Sequence, residues 1–143
     1  MAKNILYFDL ETQKSADEVG GWNNISKMGL SVGVTYSTAR SEYRIYGEQQ
    51  VGELITDLQR ADLVVGFNVL RFDYEVLHGY TPFDMSQLPT LDMMVDLANT
   101  LRHALRIMAG RTFPTQIAQM FDRRQIHRHK LIRIFVAQLS QRE

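Results

Sequence analysis

The chain has 143 residues, of which 45% are hydrophobic, and this is enough for a single folded domain with its own core. It contains no cysteine, which excludes disulfide bonds, thiolate metal sites and cysteine nucleophiles. Its formal net charge is zero, but residues 1–101 contain 7 Lys and Arg against 14 Asp and Glu, whereas residues 102–143 contain 9 against 2.

The first part of the chain predicts three strands. Residues 4–10 read as a buried strand, because residues 5–8 form a continuous apolar run that ends in acids. Residues 30–36 and 42–46 alternate apolar and polar side chains, and a turn-forming stretch joins them. We therefore expect an antiparallel meander of three strands.

Helices and strands alternate in the next part. Apolar residues at helical spacing predict a helix over residues 48–60, and residues 61–67 return to a short buried strand. A second, shorter helix is predicted over residues 72–78, and helical spacing resumes over residues 90–101. This order of elements predicts an α/β fold with a mixed sheet.

The composition changes near residue 102, and this is the one candidate domain boundary. We predict a folded core over residues 1–101 and a basic, divergent C-terminal segment over residues 102–143. An acidic region that binds cations, joined to a basic region that binds phosphate, fits a nucleic-acid enzyme. Two solvated faces that partly neutralise each other would explain the same charges.

Hydropathy predicts a cytoplasmic protein that does not contact a membrane. The opening run MAKNILYFDL is too short for the apolar region of a signal peptide. No later stretch approaches the roughly 18 uncharged apolar residues of a membrane span.

Two acids lie at the end of the first predicted strand. Asp9 and Glu11 are two residues apart, so their carboxylates project from one face of the strand while Leu10 points to the other. Adjacent carboxylates repel each other, and a divalent cation between them would relieve that repulsion. Without cysteine, a metal here must be held by oxygen or imidazole, and this points to hard ions such as Mg²⁺ or Mn²⁺. A pair of solvated acids at the start of a loop would give the same pattern.

A second polar group follows the strand predicted over residues 61–67. Asn68 is expected near the N-cap of the next helix, and Asp73 in its first turn. Phe72 can anchor that turn in the core and thereby fix the direction of Asp73. Simple helix capping would also explain these residue types, since an acid in the first turn suits the helix dipole.

Together, FDLET at residues 8–12 and GFNVLRFDYEVL at residues 66–77 resemble the first two motifs of DEDD-type 3'-5' exonucleases of the ribonuclease H-like superfamily. The resemblance is closest to predicted bacterial ribonuclease-H-like exonuclease domains, some of them helicase-associated. It extends through VGGW at residues 19–22 and LPTLD at residues 88–92, and covers roughly residues 3–100. It implies a ribonuclease H-like mixed sheet, with the antiparallel meander and further parallel strands flanked by helices.

The resemblance also implies an activity. A DEDD-type enzyme is a metal-dependent 3'-5' exonuclease that hydrolyses phosphodiester bonds of single-stranded DNA or RNA with two Mg²⁺ or Mn²⁺ ions. By the resemblance, Asp9 would bridge both ions, Glu11 would bind the ion that orients the attacking water, and Asp73 would bind the ion at the leaving 3' oxygen. The residues expected to contact nucleic acid are Asn68, Trp22 and Arg71.

The last acid of the family pattern has no clear match, so the last motif is missing. The family carries it on a late helix as Y-x3-D or H-x4-D. Asp92 and Asp96, four apart on one predicted helical face, are candidate substitutes, although in relatives the equivalent of Asp92 supports the fold. The stretch from Tyr80 to Asp84 spells Y-x3-D but contains a proline, and Asp122 lacks a Tyr or His at the required spacing.

The incomplete set of acids leaves two other functions open. One is a catalytically inactive nucleic-acid-binding domain. The other is a truncated fragment that needs a partner, either a helicase-like protein or a second copy of itself. The arginine-rich residues 102–143 do not resemble the family and would fit a shifted reading frame; His127 and His129 in this segment are expected at the surface or facing phosphate.

Overall fold

The computed structural model describes residues 3–108, which form a mixed five-stranded sheet with helices. The strands are β1 (Ile5–Thr12), β2 (Leu30–Ser37), β3 (Glu42–Tyr46), β4 (Leu63–Gly66) and β5 (Thr90–Asp92). Their order across the sheet is β3-β2-β1-β4-β5. β1, β2 and β3 are antiparallel, and β4 and β5 continue the sheet in parallel with β1. The predicted α/β class, with a meander and a mixed sheet, is confirmed.

Three α-helices accompany the sheet in the part of the chain that the structure describes. They are α1 (Val51–Gln59), α2 (Tyr74–Leu77) and α3 (Met93–Met108). A π-helix (Val69–Asp73) leads directly into α2, and three short 3-10 helices are formed by Trp22–Lys27, Glu48–Gln50 and Met85–Gln87. None of the helices within residues 3–108 combines the length and the apolar character that crossing a membrane requires.

The structure corrects the prediction for residues 90–101. Thr90–Asp92 form strand β5, and the helix begins only at Met93. β5 pairs in parallel with β4, and the N–H of Val64 donates to the carbonyl oxygen of Pro89 at 2.8 Å. The expectation that Asp92 and Asp96 share one helical face is therefore wrong, because Asp92 ends a strand.

Strand β1 divides its side chains between the two faces of the sheet. Leu6, Phe8 and Leu10 are at most 3% exposed and belong to the same hydrophobic cluster as Leu54 and Leu58 of α1. The two acids that flank Leu10 alternate with these residues, so they lie on the opposite face. The sequence prediction that Leu10 points away from both acids is confirmed.

The face that carries the acids also carries a row of tyrosines. Tyr7 lies opposite Tyr36, and Tyr36 lies opposite Tyr43 on the edge strand. Their ring centroids are 6.3 Å and 4.7 Å apart, respectively. Tyr43 and its neighbour Ile45 are 74% and 69% exposed, so the row is largely solvated at the edge of the sheet.

Candidate functional site

The acidic pair lies near the carboxyl end of β1. Asp9 is half-buried and Glu11 is exposed. β1 pairs with β4 only from Ile5 to Tyr7, so the acids lie beyond the end of that ladder. The edge of β1 beside the acids is therefore open to groups from the turn that follows β4.

Asp73 reaches this edge from the π-helix. Its side chain is fully buried, and its Oδ1 accepts a hydrogen bond from the backbone N–H of Leu10 at 3.2 Å. Leu10 is the residue between Asp9 and Glu11, so two motifs that are 63 positions apart meet at one point of the fold. We call the three acids Asp9, Glu11 and Asp73 the acidic edge.

Two backbone features shape the turn between β4 and the π-helix. A Cβ atom on the buried Gly66 would lie 2.7 Å from the carbonyl oxygen of Phe8 and would also overlap the side chain of Val69, so glycine is required there. Asn68 has a left-handed φ of 61°, which Asn adopts more readily than most residues. Asn68 occupies the predicted N-cap position, but its side chain makes no capping hydrogen bond.

Asp92 stabilises the same turn from β5. Its side chain is 4% exposed, and its Oδ1 accepts the N–H groups of Asn68 at 2.8 Å and Met94 at 3.0 Å. Its Oδ2 accepts the N–H of Leu70 at 3.1 Å. One side chain thus connects the end of β5, the start of α3 and the turn that leads to Asp73.

The remaining candidate acids lie apart from the acidic edge or have other contacts. Asp96 is exposed in the first turn of α3. Asp84 accepts the N–H and hydroxyl of Ser86, and these hydrogen bonds hold the pKa of Asp84 below its usual value. Asp122 and the histidines at positions 127 and 129 lie outside the described residues. Within residues 3–108, no three His, Asp or Glu side chains form a group that could hold a metal ion.

A cleft of about 380 Å³ is formed by the end of β1, the residues that follow it and the π-helix. It is lined by Thr12, Lys14, Ser15, Ala16, Asp17, Trp22, Met28 and Phe72. The acids Asp9, Glu11 and Asp73 are not among these lining residues, although Thr12 and Phe72 are sequence neighbours of Glu11 and Asp73.

Aromatic side chains form one side of this cleft. Trp22 is 69% exposed, and its ring centroid lies 6.4 Å from that of Phe72. Phe72 is half-buried and packs against the hydrophobic core, as predicted from its place in the turn. Arg71 is exposed beside it in the π-helix. Of the predicted nucleic-acid contacts, Trp22 lines the cleft, and Asn68 and Arg71 lie in the turn that carries Asp73.

Trp22 belongs to a segment of residues 13–29 that joins β1 to β2, which we call the Trp22 segment. Its two ends are held together by backbone hydrogen bonds. The N–H of Gln13 donates to the carbonyl oxygen of Gly29 at 3.1 Å, and the N–H of Lys14 donates to that of Met28 at 3.0 Å. The base of the segment thus continues the pairing of β1 with β2.

Three side chains, Gln13, Glu48 and Tyr80, form a hydrogen-bonded clamp at this base. The Tyr80 hydroxyl donates to Glu48 Oε1 at 2.7 Å and accepts the N–H of Leu30 at 2.7 Å. Gln13 Nε2 donates to Glu48 Oε2 at 2.7 Å and to the carbonyl oxygen of Leu30 at 2.9 Å. The bonds from Tyr80 and Gln13 lower the pKa of Glu48, while burial and the bond to Glu48 raise that of Tyr80.

The clamp has no signature in the amino-acid sequence. Tyr80 and Gln13 are 32 and 35 positions from Glu48, so no local pattern connects them. In the sequence, Tyr80 stands out only as the first residue of a Y-x3-D match. The structure gives Tyr80 and Asp84 separate hydrogen-bond partners.

No protein-family model and no curated protein matches this chain. Among solved structures, the chain is similar to the family B DNA polymerase from the hyperthermophilic archaeon Pyrobaculum calidifontis, with 13% sequence identity and a TM-score of 0.42. The match covers 55% of this chain and 11% of the polymerase chain.

Proposed function

We propose that the protein is a metal-dependent 3'-5' exonuclease of ribonuclease H-like fold that acts on single-stranded nucleic acid. The observation that supports this function is the hydrogen bond from the Leu10 N–H to Asp73, which places the Asp73 carboxylate at the peptide between Asp9 and Glu11. Three acids from two distant motifs thus lie along one edge. Acids grouped in this way repel each other, and bound cations relieve that repulsion.

The atoms of the acidic edge that could ligate a metal suit Mg²⁺ or Mn²⁺, because all of them are carboxylate oxygens. Mg²⁺ in phosphate-handling sites is usually held by one or two carboxylates, while water and substrate phosphates supply its other ligands. Because no three His, Asp or Glu side chains within residues 3–108 are arranged as a metal site, water and phosphate oxygens would have to complete the coordination of any bound ion. In our proposal the ions and the nucleic acid therefore bind together.

Bound ions would stabilise the entering and departing oxygens of an in-line phosphodiester hydrolysis. In the proposed site the half-buried Asp9, the exposed Glu11 and the buried Asp73 would hold the ions. The ions would supply an activated water on the side of Glu11 and would stabilise the leaving oxygen on the side of Asp73. The aromatic ring of Trp22 would stack on a base, because stacking tolerates any sequence. Arg71 and Asn68, in the turn that carries Asp73, would contact the sugar-phosphate backbone.

A nucleic-acid-binding domain without catalysis is the second candidate. It is favoured by the hydrogen bonds of Asp92, whose oxygens accept three backbone N–H groups and which is therefore poorly suited to be the missing fourth ligand. A separate alternative is a fragment whose acidic edge is completed by a helicase-like protein or by a second copy of this chain.

An exonuclease assay separates the two candidates. The full chain is incubated with a 5'-labelled single-stranded oligonucleotide and Mn²⁺, and we expect a ladder that shortens from the 3' end. Asp9→Asn removes one negative charge at nearly constant volume, and it should slow cleavage by at least about 100-fold, as should EDTA. DNA and RNA oligonucleotides of one sequence would identify the preferred substrate.

Glu53→Gln provides the matched control, because Glu53 is an exposed acid of α1, away from the acidic edge. This variant should cleave at the rate of the unmodified chain. Equal cleavage by Asp9→Asn and Glu53→Gln would exclude the acidic edge as the catalytic site. Binding of the oligonucleotide by folded protein, without cleavage that depends on Asp9, would favour the second candidate.

A further inference from the structure

The clamp formed by Gln13, Glu48 and Tyr80 lies outside the acidic edge, at the base of the segment that carries Trp22. We propose that these three are positioning residues that fix the Trp22 segment at the cleft and thereby set the affinity for the terminal nucleotide. The second part of this inference rests on the proposed function, whereas the first part depends only on the geometry of the segment.

The Tyr80 hydroxyl holds β2 at the point where its pairing with β1 becomes irregular. The register of the two strands shifts between Glu11 and Thr12, and Leu30 is the partner at the end of the ladder. Beside such a shift, regular strand pairing is disrupted and backbone groups need other partners. The hydroxyl of Tyr80 accepts the Leu30 N–H and also donates to Glu48. Phenylalanine at this position would remove both hydrogen bonds.

Gln13 connects the hydrogen bonds of Tyr80 to β1, the strand that carries Asp9 and Glu11. It follows Thr12, the last residue of β1, and its side-chain amide donates to both Leu30 and Glu48. At the other end of the segment, Gly29 has a left-handed φ of 71°, and a Cβ atom there would lie 3.1 Å from Gln13 Oε1. The side chain of Gln13, at one end of the Trp22 segment, therefore lies close to Gly29 at the other end.

The position of the Trp22 segment decides the shape of the cleft. Most of the lining comes from the strand end and the Trp22 segment, between Thr12 and Met28, whereas Phe72 comes from the π-helix. A segment that moves relative to Phe72 would change the width of the cleft without displacing the acids. Loss of the clamp should therefore weaken binding of the 3' end of the nucleic acid and leave the rate of the hydrolysis step unchanged.

The fluorescence of Trp22 tests the positioning role directly, because Trp22 is the single tryptophan of the chain. Time-resolved anisotropy of the free protein reports nanosecond motion of its ring. In Tyr80→Phe and in Gln13→Ala, the amplitude of the fast depolarisation should rise roughly twofold. Tyr43→Phe, at an exposed tyrosine on β3, is the matched control and should leave the anisotropy unchanged.

Kinetics of the same variants test the link to substrate. With a single-stranded oligonucleotide and Mn²⁺, Tyr80→Phe should raise KM by roughly fivefold with kcat nearly unchanged, which is the pattern for lost binding that does not involve the transition state. Unchanged Trp22 anisotropy in both folded clamp variants would overturn the proposal. A wild-type protein that neither binds nor cleaves the oligonucleotide would instead contradict the proposed function, and the anisotropy alone would then decide the role of the clamp.

Discussion

Replacement of Asp92 by alanine is expected to lower the free energy of unfolding by about 4 kcal/mol, a large share of the stability of a domain of this size. The buried carboxylate accepts N–H groups from Asn68, Leu70 and Met94. Alanine would leave these amides without their acceptor, and hydrogen bonds to a charged group contribute about 1.5–3 kcal/mol each, with incomplete additivity.

Urea unfolding of Asp92→Ala and Asp96→Ala measures this effect against a matched acid. Asp96 is exposed in the first turn of α3, so its removal should change stability by no more than about 0.5 kcal/mol. Asp92→Asn should fall between the two variants, because it keeps one oxygen acceptor but loses the charge. Similar midpoints for the two alanine variants would contradict a structural role for Asp92.

Replacement of Asp73 should separate folding from catalysis. Asp73→Asn keeps an oxygen that can accept the Leu10 N–H, but it removes the charge that the proposed ions require. We expect this variant to fold and to lose at least about 100-fold in cleavage rate. Asp73→Ala also removes the buried acceptor and should cost a further 2 kcal/mol or so of unfolding free energy relative to Asp73→Asn.

Electron paramagnetic resonance can measure Mn²⁺ binding with and without a non-hydrolysable oligonucleotide. This measurement tests whether Asp73→Asn loses cleavage because it loses metal binding. The unmodified chain should bind Mn²⁺ more tightly when the oligonucleotide is present, and Asp73→Asn should not show this gain. Glu75→Gln is the matched control, because Glu75 is an exposed acid in the same helical stretch. Cleavage by Asp73→Asn at the wild-type rate would show that Asp73 is not a metal ligand.

Most of the sheet could be predicted because its signals are local. The apolar run of β1 and the alternation in β2 and β3 each lie within one strand. β5 was predicted as helix because Leu91, Met94 and Val95 have helical spacing, and a strand of three residues is too short to show alternation. Its strand conformation depends on pairing with β4, which is remote in sequence.

The candidate site was also predictable only where its signals are local in the sequence. The alternation of β1 places Asp9 and Glu11 on one face, and the strand-to-turn pattern indicates that Asp73 follows β4. The hydrogen bond between Leu10 and Asp73 forms because β1 and β4 are neighbours in the sheet. The hydrophobic periodicity of the sequence does not determine which strands are neighbours. The resemblance implied that Asp92 supports the fold, and its hydrogen bonds to three backbone amides agree with this. The role of Tyr80 was not predictable from residue type, because its partners Leu30 and Glu48 are far along the chain.

The three amides that share the Asp92 carboxylate lie in different elements. Those of Asn68 and Leu70 flank the start of the π-helix, and that of Met94 lies in the first turn of α3. Amide hydrogens exchange with solvent when the structure around them opens, and groups that open together form one cooperative unit. When the structure around Asp92 opens, all three amides lose their acceptor at the same time. Their deuterium uptake should therefore follow a common opening event, even though they are distant in sequence.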